Sequence, residues 1–272
     1  MGLFRKLLGF TGVAAMALGL ASQAQAASCG NNASGFEAWK AEFSREASAR
    51  GVGNRALTAL AGTSYASKTI AADRGQHSFK LTLKQFMEKR GSAVIVSRGK
   101  KHLANNKALF DRIEQRYGVP AGPLIAIWGM ETGFGSFLGN QNTLSAVATL
   151  AYDCRRSDFF TDQLYSALKL VDNGTLTSSA QGAAHGEIGQ TQFLPKSVLT
   201  YGVDGDGDGK IDMVRSKADA LASTANFLRG HGWRPGAGYK QGQPNYAAIQ
   251  GWNAATVYQQ AIALMAADID GR

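Results

Sequence analysis

The stretch that decides how this chain is interpreted runs from Pro123 to Gly135 and reads Pro-Leu-Ile-Ala-Ile-Trp-Gly-Met-Glu-Thr-Gly-Phe-Gly. Pro123 suits the first turn of a helix, where its missing amide hydrogen would have no partner. The residues that follow are apolar on every face, which predicts a buried helix. Glu131 is the lone carboxylate of this stretch and lies near the end of the predicted helix.

This position gives the Glu131 carboxyl group an unusual environment. Burial disfavours its charged form, and the negative end of the helix dipole disfavours it further. Both effects raise the pKa of Glu131, and an acid that keeps its proton near neutral pH can protonate a glycosidic oxygen. Gly133 and Gly135 would let a long polymer approach the backbone closely. A structural Glu that caps the helix or pairs with an arginine is the alternative.

A second segment, Gly186 to Pro195, reads Gly-Glu-Ile-Gly-Gln-Thr-Gln-Phe-Leu-Pro. Closely spaced glycines followed by Gln, an aromatic residue and Pro predict a tight loop that enters a helix. A glutamine that points inward there could hold a sugar amide or hydroxyl group. Glycine-rich turns are common, so this segment by itself does not specify a function.

A third segment has the spacing of a calcium loop. Asp204, Asp206 and Asp208 occupy positions 1, 3 and 5, a glycine occupies position 6, and the Lys210 carbonyl group would serve at position 7. Three carboxylates this close repel each other without a cation. An Asp- and Gly-rich turn without metal is the alternative.

Position 12 of the calcium loop departs from the usual pattern. Arg215 stands where a bidentate Glu normally completes the shell. Another acid must therefore close the site, and Asp219 on the next predicted helix is the candidate.

Composition excludes several classes of protein. The 272 residues are 44% hydrophobic and 18% charged, which is typical of a globular chain and not of a disordered or collagen-like one. The formal charge of +9 favours a polyanionic or carboxylate-bearing partner without identifying it. Much of the cationic excess falls within residues 77–101, which we interpret as a solvated helix face.

The N-terminus has the pattern of a secretory signal. Arg5 and Lys6 precede an apolar run from Leu7 to Ala21, and a small-residue cleavage site ends at Ala26. We therefore predict a signal peptide over residues 1–26 and a periplasmic or secreted protein. A transmembrane anchor is the alternative, but the run is short and contains several glycines.

Two cysteines follow, Cys29 and Cys154. An exported protein meets an oxidising compartment, so we expect a disulfide between them. A lipid anchor on Cys29 is the alternative, although the residues before it lack the large apolar side chain of such signals. Zinc is not expected with two cysteines and four scattered histidines.

Periodicity predicts a mostly α fold. Apolar residues recur at helical spacing from Phe36 to Ala47 and again from Leu103 to Tyr117, which indicates one long helix in the second region. Further helices are predicted at 56–60, from Phe79 to Met87, and at 161–171, 194–201, 217–230 and 254–267. No run of alternating strands is found.

Taken together, these segments resemble the membrane-bound lytic murein transglycosylase B family. The matching pieces are Tyr117-Gly-Val-Pro120, Trp128-Gly-Met-Glu-Thr-Gly-Phe-Gly135, Ala148-Thr-Leu-Ala-Tyr152, Arg155-Arg156, Gly189-Gln-Thr-Gln-Phe-Leu-Pro195, the Asp loop, the segment from Asp219 to Phe227, His231-Gly-Trp233, and Trp252-Asn253 with Tyr258. They occur in the same order along the sequence as in the family, and they extend over the whole chain after residue 26.

The resemblance implies a lysozyme-like helical fold with an EF-hand-like calcium loop. It implies one catalytic domain over residues 27–272, with a helical N-terminal lobe at about 33–118 and a lysozyme-like core at about 119–272. The expected reaction is cleavage of the MurNAc–GlcNAc bond of peptidoglycan glycan strands. We expect structural calcium, no organic cofactor, no nucleic-acid partner, no transmembrane anchor after residue 26, and a monomer.

The resemblance also implies roles for individual residues. Glu131 falls on the catalytic acid, and Gln192 falls on a sugar-contacting residue near the cleavage point. The remaining positions divide into a pair associated with the peptide stems (Arg155 and Arg156), a set that shapes the substrate groove (Trp252, Asn253 and Tyr258), and the calcium ligands (the Asp loop, with Asp219 as the distal ligand).

Three positions depart from the family pattern. Trp252 stands where Tyr is usual and loses a hydroxyl group. Ala183 stands where a Ser often orients the catalytic Glu. Glu187 stands where a small residue is usual, and a second acid near Glu131 could create a hydrolytic site.

The count of acids separates the possible reactions. A glycoside hydrolase needs two carboxylates, whereas a lytic transglycosylase needs one, because the sugar supplies its own nucleophile. The sequence favours a transglycosylase that uses Glu131 first as acid and then as base. The alternatives are a lysozyme-type hydrolase that uses Glu131 and Glu187, and a non-catalytic, calcium-stabilised peptidoglycan-binding protein.

Overall fold

The computed structural model describes residues 27–75 and 81–272. Helices make up most of this part of the chain, which confirms the predicted mostly α class. The predicted signal peptide (1–26), together with Phe79 and Lys80, lies outside the described residues. Among the described helices, none is both long enough and apolar enough to cross a membrane.

In the described part of the chain, seven α-helices precede the small sheet: α1 (Phe36–Ala49), α2 (Asn54–Ala61), α3 (Ser67–Arg74), α4 (Leu83–Arg90), α5 (Ser92–Asn105), α6 (Lys107–Tyr117) and α7 (Ala121–Thr132). Six more follow its first strand: α8 (Thr143–Tyr152), α9 (Ser157–Asp172), α10 (Pro195–Tyr201), α11 (Lys217–Gly230), α12 (Tyr246–Trp252) and α13 (Thr256–Asp270). The sheet has two antiparallel strands of two residues each, β1 (Gln141–Asn142) and β2 (Gln181–Gly182).

One helix prediction is wrong. The long helix expected from Leu103 to Tyr117 is two helices, α5 and α6, which are separated by Asn106 with φ −130°. The Asn106 side chain donates a 2.9 Å hydrogen bond to the His102 carbonyl group. Asparagine competes in this way with the helical hydrogen bonds, and so α5 ends there.

The helix α7 lies in the middle of the core. Eleven of its twelve residues are buried, and Glu131 is the exception. It packs against α5 and α13, so helices from both halves of the chain surround it. Asp270, at the end of α13, accepts a 2.7 Å hydrogen bond from the amide of Gly122 and so satisfies the first turn of α7.

The segment before α1 is tied to the end of α8. Cys29 and Cys154 form a disulfide, and the Gly30 amide donates a 2.9 Å hydrogen bond to the Tyr152 carbonyl group. A Cβ atom on Gly30 would lie 2.0 Å from the Tyr152 hydroxyl oxygen, so a larger residue could not approach the ring this closely.

Candidate functional site

Glu131 lies in the last turn of α7 and is partly exposed, although its neighbours on the helix are buried. The chain leaves the helix through three successive residues with positive φ: Gly133 (58°), Phe134 (67°) and Gly135 (78°). Phe134 is the unusual one, because a bulky residue seldom adopts this conformation. The sharp turn ends α7 directly after the acid.

Two donors bind the same oxygen of Glu131. The Trp252 indole N–H lies 3.0 Å from Oε1, and the Tyr258 hydroxyl lies 2.7 Å from it. Trp252 ends α12 and Tyr258 lies in the first turn of α13, so these helices fix the orientation of the carboxyl group. Trp252 therefore contributes a donor of its own at a position where the family usually has Tyr.

Burial raises the pKa of Glu131, and the negative charge of Glu187 raises it further. The hydrogen bonds from Tyr258 and Trp252 and the positive charge of Arg90 act in the opposite direction without cancelling the effect of burial. The upward direction of this pKa shift agrees with the expectation from the apolar sequence of the helix. Glu131 is thus a partly exposed acid that retains its proton to higher pH than an ordinary glutamate.

Sequence reasoning missed Arg90, which belongs to the cationic run that we interpreted as a solvated face. Its guanidinium lies 5.5 Å from the ring centre of Phe86 and 5.9 Å from that of Tyr258. These are cation–π distances. No spacing or motif in the sequence distinguishes Arg90 from its exposed neighbours, because its role depends on how α4 packs against α13.

Glu187 also lies near the site, on the loop that precedes α10. His185 holds it through a 2.9 Å hydrogen bond from its backbone N–H to Oε2 and through its ring Nδ1, 3.1 Å from Oε1. Burial by itself would raise the pKa of Glu187, but these interactions outweigh it and hold the pKa below its usual value. The second carboxylate is therefore ionised.

Arg155 and Arg156, which we expected to bind peptide stems, both pair with Asp73 of α3. Arg155 Nε donates a 2.7 Å hydrogen bond to Asp73 Oδ2, and Arg156 binds the other oxygen. The Asp73 side chain is 2% exposed, whereas the two arginines are 44% and 36% exposed. Burial would raise the pKa of Asp73, but both guanidinium groups outweigh it and lower the pKa.

Gln192 and Asn253 make contacts within the protein. Gln192 has a φ of 55°, and its side-chain amide donates a 2.8 Å hydrogen bond to the Gly189 carbonyl group. Asn253 accepts a 2.9 Å hydrogen bond from the Ala255 amide, directly before α13. Asn253 thus helps to set the start of the helix that carries Tyr258.

The loop of Gln192 is fastened to α7 by contacts that the sequence did not reveal. Trp128 donates a 3.0 Å hydrogen bond from its indole N–H to Gln190 Oε1, and the Thr132 hydroxyl donates a 2.6 Å bond to the Gln190 carbonyl group. As predicted, the loop is tight and leads into a helix, with Pro195 as the first residue of α10.

The acidic loop gathers only some of the expected metal ligands. Carboxylate oxygens of Asp204, Asp206 and Asp219 lie within 4.8 Å of one another. The Asp208 carboxylate is not part of this group and instead accepts a 2.8 Å hydrogen bond from the Lys210 amide. The role of Asp208 as a metal ligand stays a prediction.

Asp219 is the predicted distal ligand. It lies in the first turn of α11, is 1% exposed, and accepts hydrogen bonds from the amides of Gly205 (2.8 Å) and Asp212 (2.7 Å). Three carboxylates gathered this closely are the oxygen donors that calcium prefers. The residues present therefore fit a calcium ion.

Comparison with known proteins places this arrangement in a family. Residues 35–243 match the model of the family described as "Transglycosylase SLT domain". Membrane-bound lytic murein transglycosylase B of Escherichia coli (strain K12) is 36% identical over 128 residues, which are 46% of this chain and 35% of that protein. The matched part thus spans about a third of this relative.

Solved structures agree over more of the chain. SltB3 from Pseudomonas aeruginosa, in complex with NAG-anhNAM-pentapeptide, has a TM-score of 0.80 and 30% identity, and the match covers 87% of this chain and 80% of that one. Escherichia coli Slt35 in complex with calcium has a TM-score of 0.75 at 21% identity, over 90% and 96% of the two chains. This chain belongs to the transglycosylase SLT domain family, and its lysozyme-like helical fold is that of the lytic transglycosylases related to membrane-bound lytic murein transglycosylase B.

Proposed function

We propose that this protein is an exported lytic transglycosylase that cleaves the β-1,4 bond between MurNAc and GlcNAc in peptidoglycan and leaves a 1,6-anhydro-MurNAc end. The observation that carries the proposal is the environment of Glu131: a partly exposed acid with a raised pKa and two donors on one oxygen. The peptidoglycan fragment bound by SltB3 supports the choice of substrate.

The mechanism needs a group that first gives a proton and then takes one. Glu131 protonates the bridging oxygen, and the bond breaks through an oxocarbenium-like state that the substrate's own N-acetyl group shields. The ionised Glu131 then removes the proton from the 6-hydroxyl group of the same sugar, and that oxygen attacks the anomeric carbon. The nucleophile belongs to the substrate, so its effective concentration is high and no activated water is required.

The donors on Glu131 serve the second half of this reaction. Tyr258 and Trp252 stabilise the carboxylate that remains after the first proton transfer, because hydrogen bonds to a charged acceptor are stronger than those to a neutral one. Burial opposes the same charge. The balance between burial and these donors sets a pKa from which both transfers are possible.

The substrate-binding roles of the other residues follow from the family resemblance. We assign sugar contact to Gln192, groove shape to Trp252, Asn253 and Tyr258, and contact with the peptide stem to Arg155 and Arg156. A stem carboxylate would have to share or replace Asp73 as partner of the two arginines. We further propose that the protein acts as a monomer, without an organic cofactor, in the periplasm or outside the cell.

We also propose a structural calcium ion at the acidic loop. The chain would hold it with Asp204, Asp206 and Asp219 together with the Lys210 carbonyl group. The calcium complex of Slt35 supports this assignment. The ion would neutralise the clustered charges and brace the loop against α11, away from the proton transfers at Glu131.

A second candidate function is a lysozyme-type hydrolase that uses Glu131 and Glu187. The observation in its favour is that the pKa of Glu131 is raised while the pKa of Glu187 is lowered, which is the direction in which such an enzyme separates its acid from its carboxylate. A non-catalytic peptidoglycan-binding protein is the remaining alternative, and no observation specifically favours it.

Product analysis on purified peptidoglycan tests the proposal. Wild-type protein should release fragments with anhydro ends, which mass spectrometry recognises as one water lighter than reducing ends. The Glu131→Gln variant should release none while it keeps the wild-type circular dichroism spectrum and melting temperature. An active Gln variant, or release of reducing ends only, would contradict the proposal.

A further inference from the structure

The turn that follows Glu131 presents an aromatic side chain to the surface. Phe137 is 73% exposed, more than any other large apolar side chain in the described part of the chain. Phe134, three residues earlier, is 8% exposed and adopts a φ of 67°. A non-glycine residue adopts this conformation only at a cost in free energy. The turn thus buries one phenylalanine in a strained conformation and leaves the other in contact with solvent.

Phe137 lies close to the proposed catalytic acid. Its backbone N–H donates a 3.0 Å hydrogen bond to the carbonyl group of Thr132, the residue next to Glu131. Standard bond lengths then limit the distance between the Cα atoms of Phe137 and Glu131 to about 11 Å. Phe137 is therefore at the same end of α7 as the acid.

Phe137 is also close to Gln192, to which we assign contact with a sugar. The Gln192 side-chain amide donates a 3.4 Å hydrogen bond to the carbonyl group of Leu138, the next residue in the chain. The same bond lengths limit the distance between this amide nitrogen and the Phe137 Cα atom to about 10 Å. Phe137 thus lies near both residues that the proposed function places at the cleaved bond.

Contacts on both sides of the turn hold Phe137 in place. The Gly135 amide donates a 2.8 Å hydrogen bond to the hydroxyl oxygen of Thr132. From α5, the guanidinium group of Arg98 lies 4.8 Å from the ring centre of Phe134, which is a cation–π distance. A side chain on an ordered turn loses less conformational freedom on binding than one on a loose loop, so this arrangement favours a contact with a ligand.

A flat, exposed ring beside this acid suits a sugar of the glycan strand. The C–H groups of a pyranose ring form an apolar face that can pack against an aromatic ring while the hydroxyl groups stay in water. Such a contact removes apolar surface of Phe137 from water, which favours binding. A stable protein interface needs roughly 1,200–2,000 Å² of buried surface, far more than one side chain provides.

We propose, on the basis of the function proposed above, that Phe137 is a substrate-binding residue whose ring packs against the face of a sugar close to the bond that Glu131 cleaves. The contact holds the glycan strand along the turn after α7 and strengthens its binding. Phe137 takes no part in the proton transfers, which belong to Glu131.

Binding without turnover tests this role. In a Glu131→Gln background, Phe137→Ala should weaken the binding of soluble glycan strands about tenfold, equivalent to about 1.4 kcal/mol, as measured by isothermal titration calorimetry. Phe137→Tyr should bind as tightly as the Glu131→Gln parent, because it keeps the flat ring. Phe137→Leu keeps apolar area without a flat face, and it should lose most of the affinity.

Leu264→Ala, made in the same background, is the matched control. It removes another exposed apolar side chain, which is 42% exposed and belongs to α13. Its affinity for the strands should equal that of the parent. Phe137→Ala and Leu264→Ala should both keep the parental melting temperature, because neither side chain is buried.

A tryptophan substitution makes the contact visible by fluorescence. When strands bind, Phe137→Trp in the Glu131→Gln background should show a blue shift of the emission maximum beyond that of the parent, because the new indole ring leaves water. Unchanged affinity in a folded Phe137→Ala variant, or no additional blue shift in Phe137→Trp, would overturn the inference.

The binding measurements separate this inference from the reaction on which it rests. Reducing ends formed by the wild-type protein would contradict the proposed function, and the affinities of the Phe137 variants would still decide whether the ring contacts the strand. Failure of both the wild-type protein and Glu131→Gln to bind any strand would overturn the inference and the proposed function together.

Discussion

The Tyr258 hydroxyl group donates a 2.7 Å hydrogen bond to Oε1 of Glu131, across 127 positions of the chain. The packing of α13 against α7 brings the two side chains together. Burial, together with the nearby Glu131, raises the pKa of Tyr258 well above its usual value, so the hydroxyl group remains a donor at neutral pH.

Tyr258→Phe should raise the pKa of Glu131, because it removes a hydrogen bond that favours the ionised acid. The alkaline limb of the activity profile should move to higher pH. The carboxylate becomes less stable as the base of the second step, and kcat should fall about tenfold, equivalent to about 1.4 kcal/mol. Steady-state kinetics over a range of pH measure both effects.

Tyr246→Phe is the control for this variant. Its hydroxyl group is buried and has no hydrogen-bond partner among the described residues. Its removal should change neither the pH profile nor kcat. A Tyr258→Phe enzyme with the wild-type profile would show that the hydrogen bond to Glu131 does not contribute to catalysis.

Asp73→Asn should destabilise the protein in a pH-dependent way. The pKa of Asp73 is lowered in the folded state, so its contribution to stability is present above the unfolded pKa of about 3.9 and is lost as the pH falls through the lower folded value. We expect the free energy of unfolding to fall by about 2 kcal/mol at neutral pH. This is less than the loss for a fully buried ion pair, because both arginines are partly exposed.

Urea unfolding at several pH values checks the Asp73 prediction. The difference between wild type and Asp73→Asn should shrink as the pH falls below about 4. Asp111→Asn removes a carboxylate from an exposed ion pair with Lys107, so its free energy of unfolding should stay within about 0.5 kcal/mol of the wild-type value. A constant difference at every pH would mean that the packing of Asp73, and not its charge, stabilises the fold.

Calcium should stabilise the folded protein. An ion that binds only the native state, at a concentration a hundredfold above its Kd, adds about 2.7 kcal/mol to the free energy of unfolding. Removal by a chelator should therefore lower the melting temperature, and added calcium should restore it. Differential scanning calorimetry with and without calcium measures the effect.

Two variants identify the calcium ligands. Asp219→Asn should abolish the response to calcium, because Asp219 is in the carboxylate cluster. Asp208→Asn should retain it, because the Asp208 carboxylate lies outside that cluster. Equal loss in both variants would restore Asp208 to the ligand set, and no response in wild type would count against a metal site.

Loss of the disulfide should lower stability without altering the chemistry at Glu131. Cys29 and Cys154 are 125 positions apart, and breaking a link across so long a loop typically costs about 2–5 kcal/mol. Cys29→Ser should therefore melt at a lower temperature than wild type in the absence of reductant. The melting temperatures of the two proteins should become equal when the wild-type disulfide is reduced. Equal melting temperatures before reduction would contradict the prediction.

The sequence by itself determined the features that depend on neighbours along the chain. Residues 123–135 predicted a buried helix with an acid near its end, because apolar residues on every face require burial whatever surrounds them. The bounds of α11 were predicted as 217–230, as observed. The loop spacing drew attention to Asp204 and Asp206, whose carboxylate oxygens lie within 4.8 Å of each other and of an Asp219 oxygen.

Hydrophobic periodicity failed to predict helices correctly where individual side-chain contacts or complete burial decide the local structure. The break at Asn106 depends on one hydrogen bond to a carbonyl group four residues earlier. Nine of the ten residues of α8 are buried, so its sequence has no exposed polar face from which a period could be recognised.

Only the tertiary structure decided what surrounds Glu131. Its donors Trp252 and Tyr258 follow it in the sequence by 121 and 127 positions, whereas Arg90 precedes it. Composition and spacing do not specify such contacts, because they arise when separate helices pack. Local sequence therefore determined which acid lies at the end of a buried helix, while the packing of α4, α12 and α13 determined how strongly that acid holds its proton.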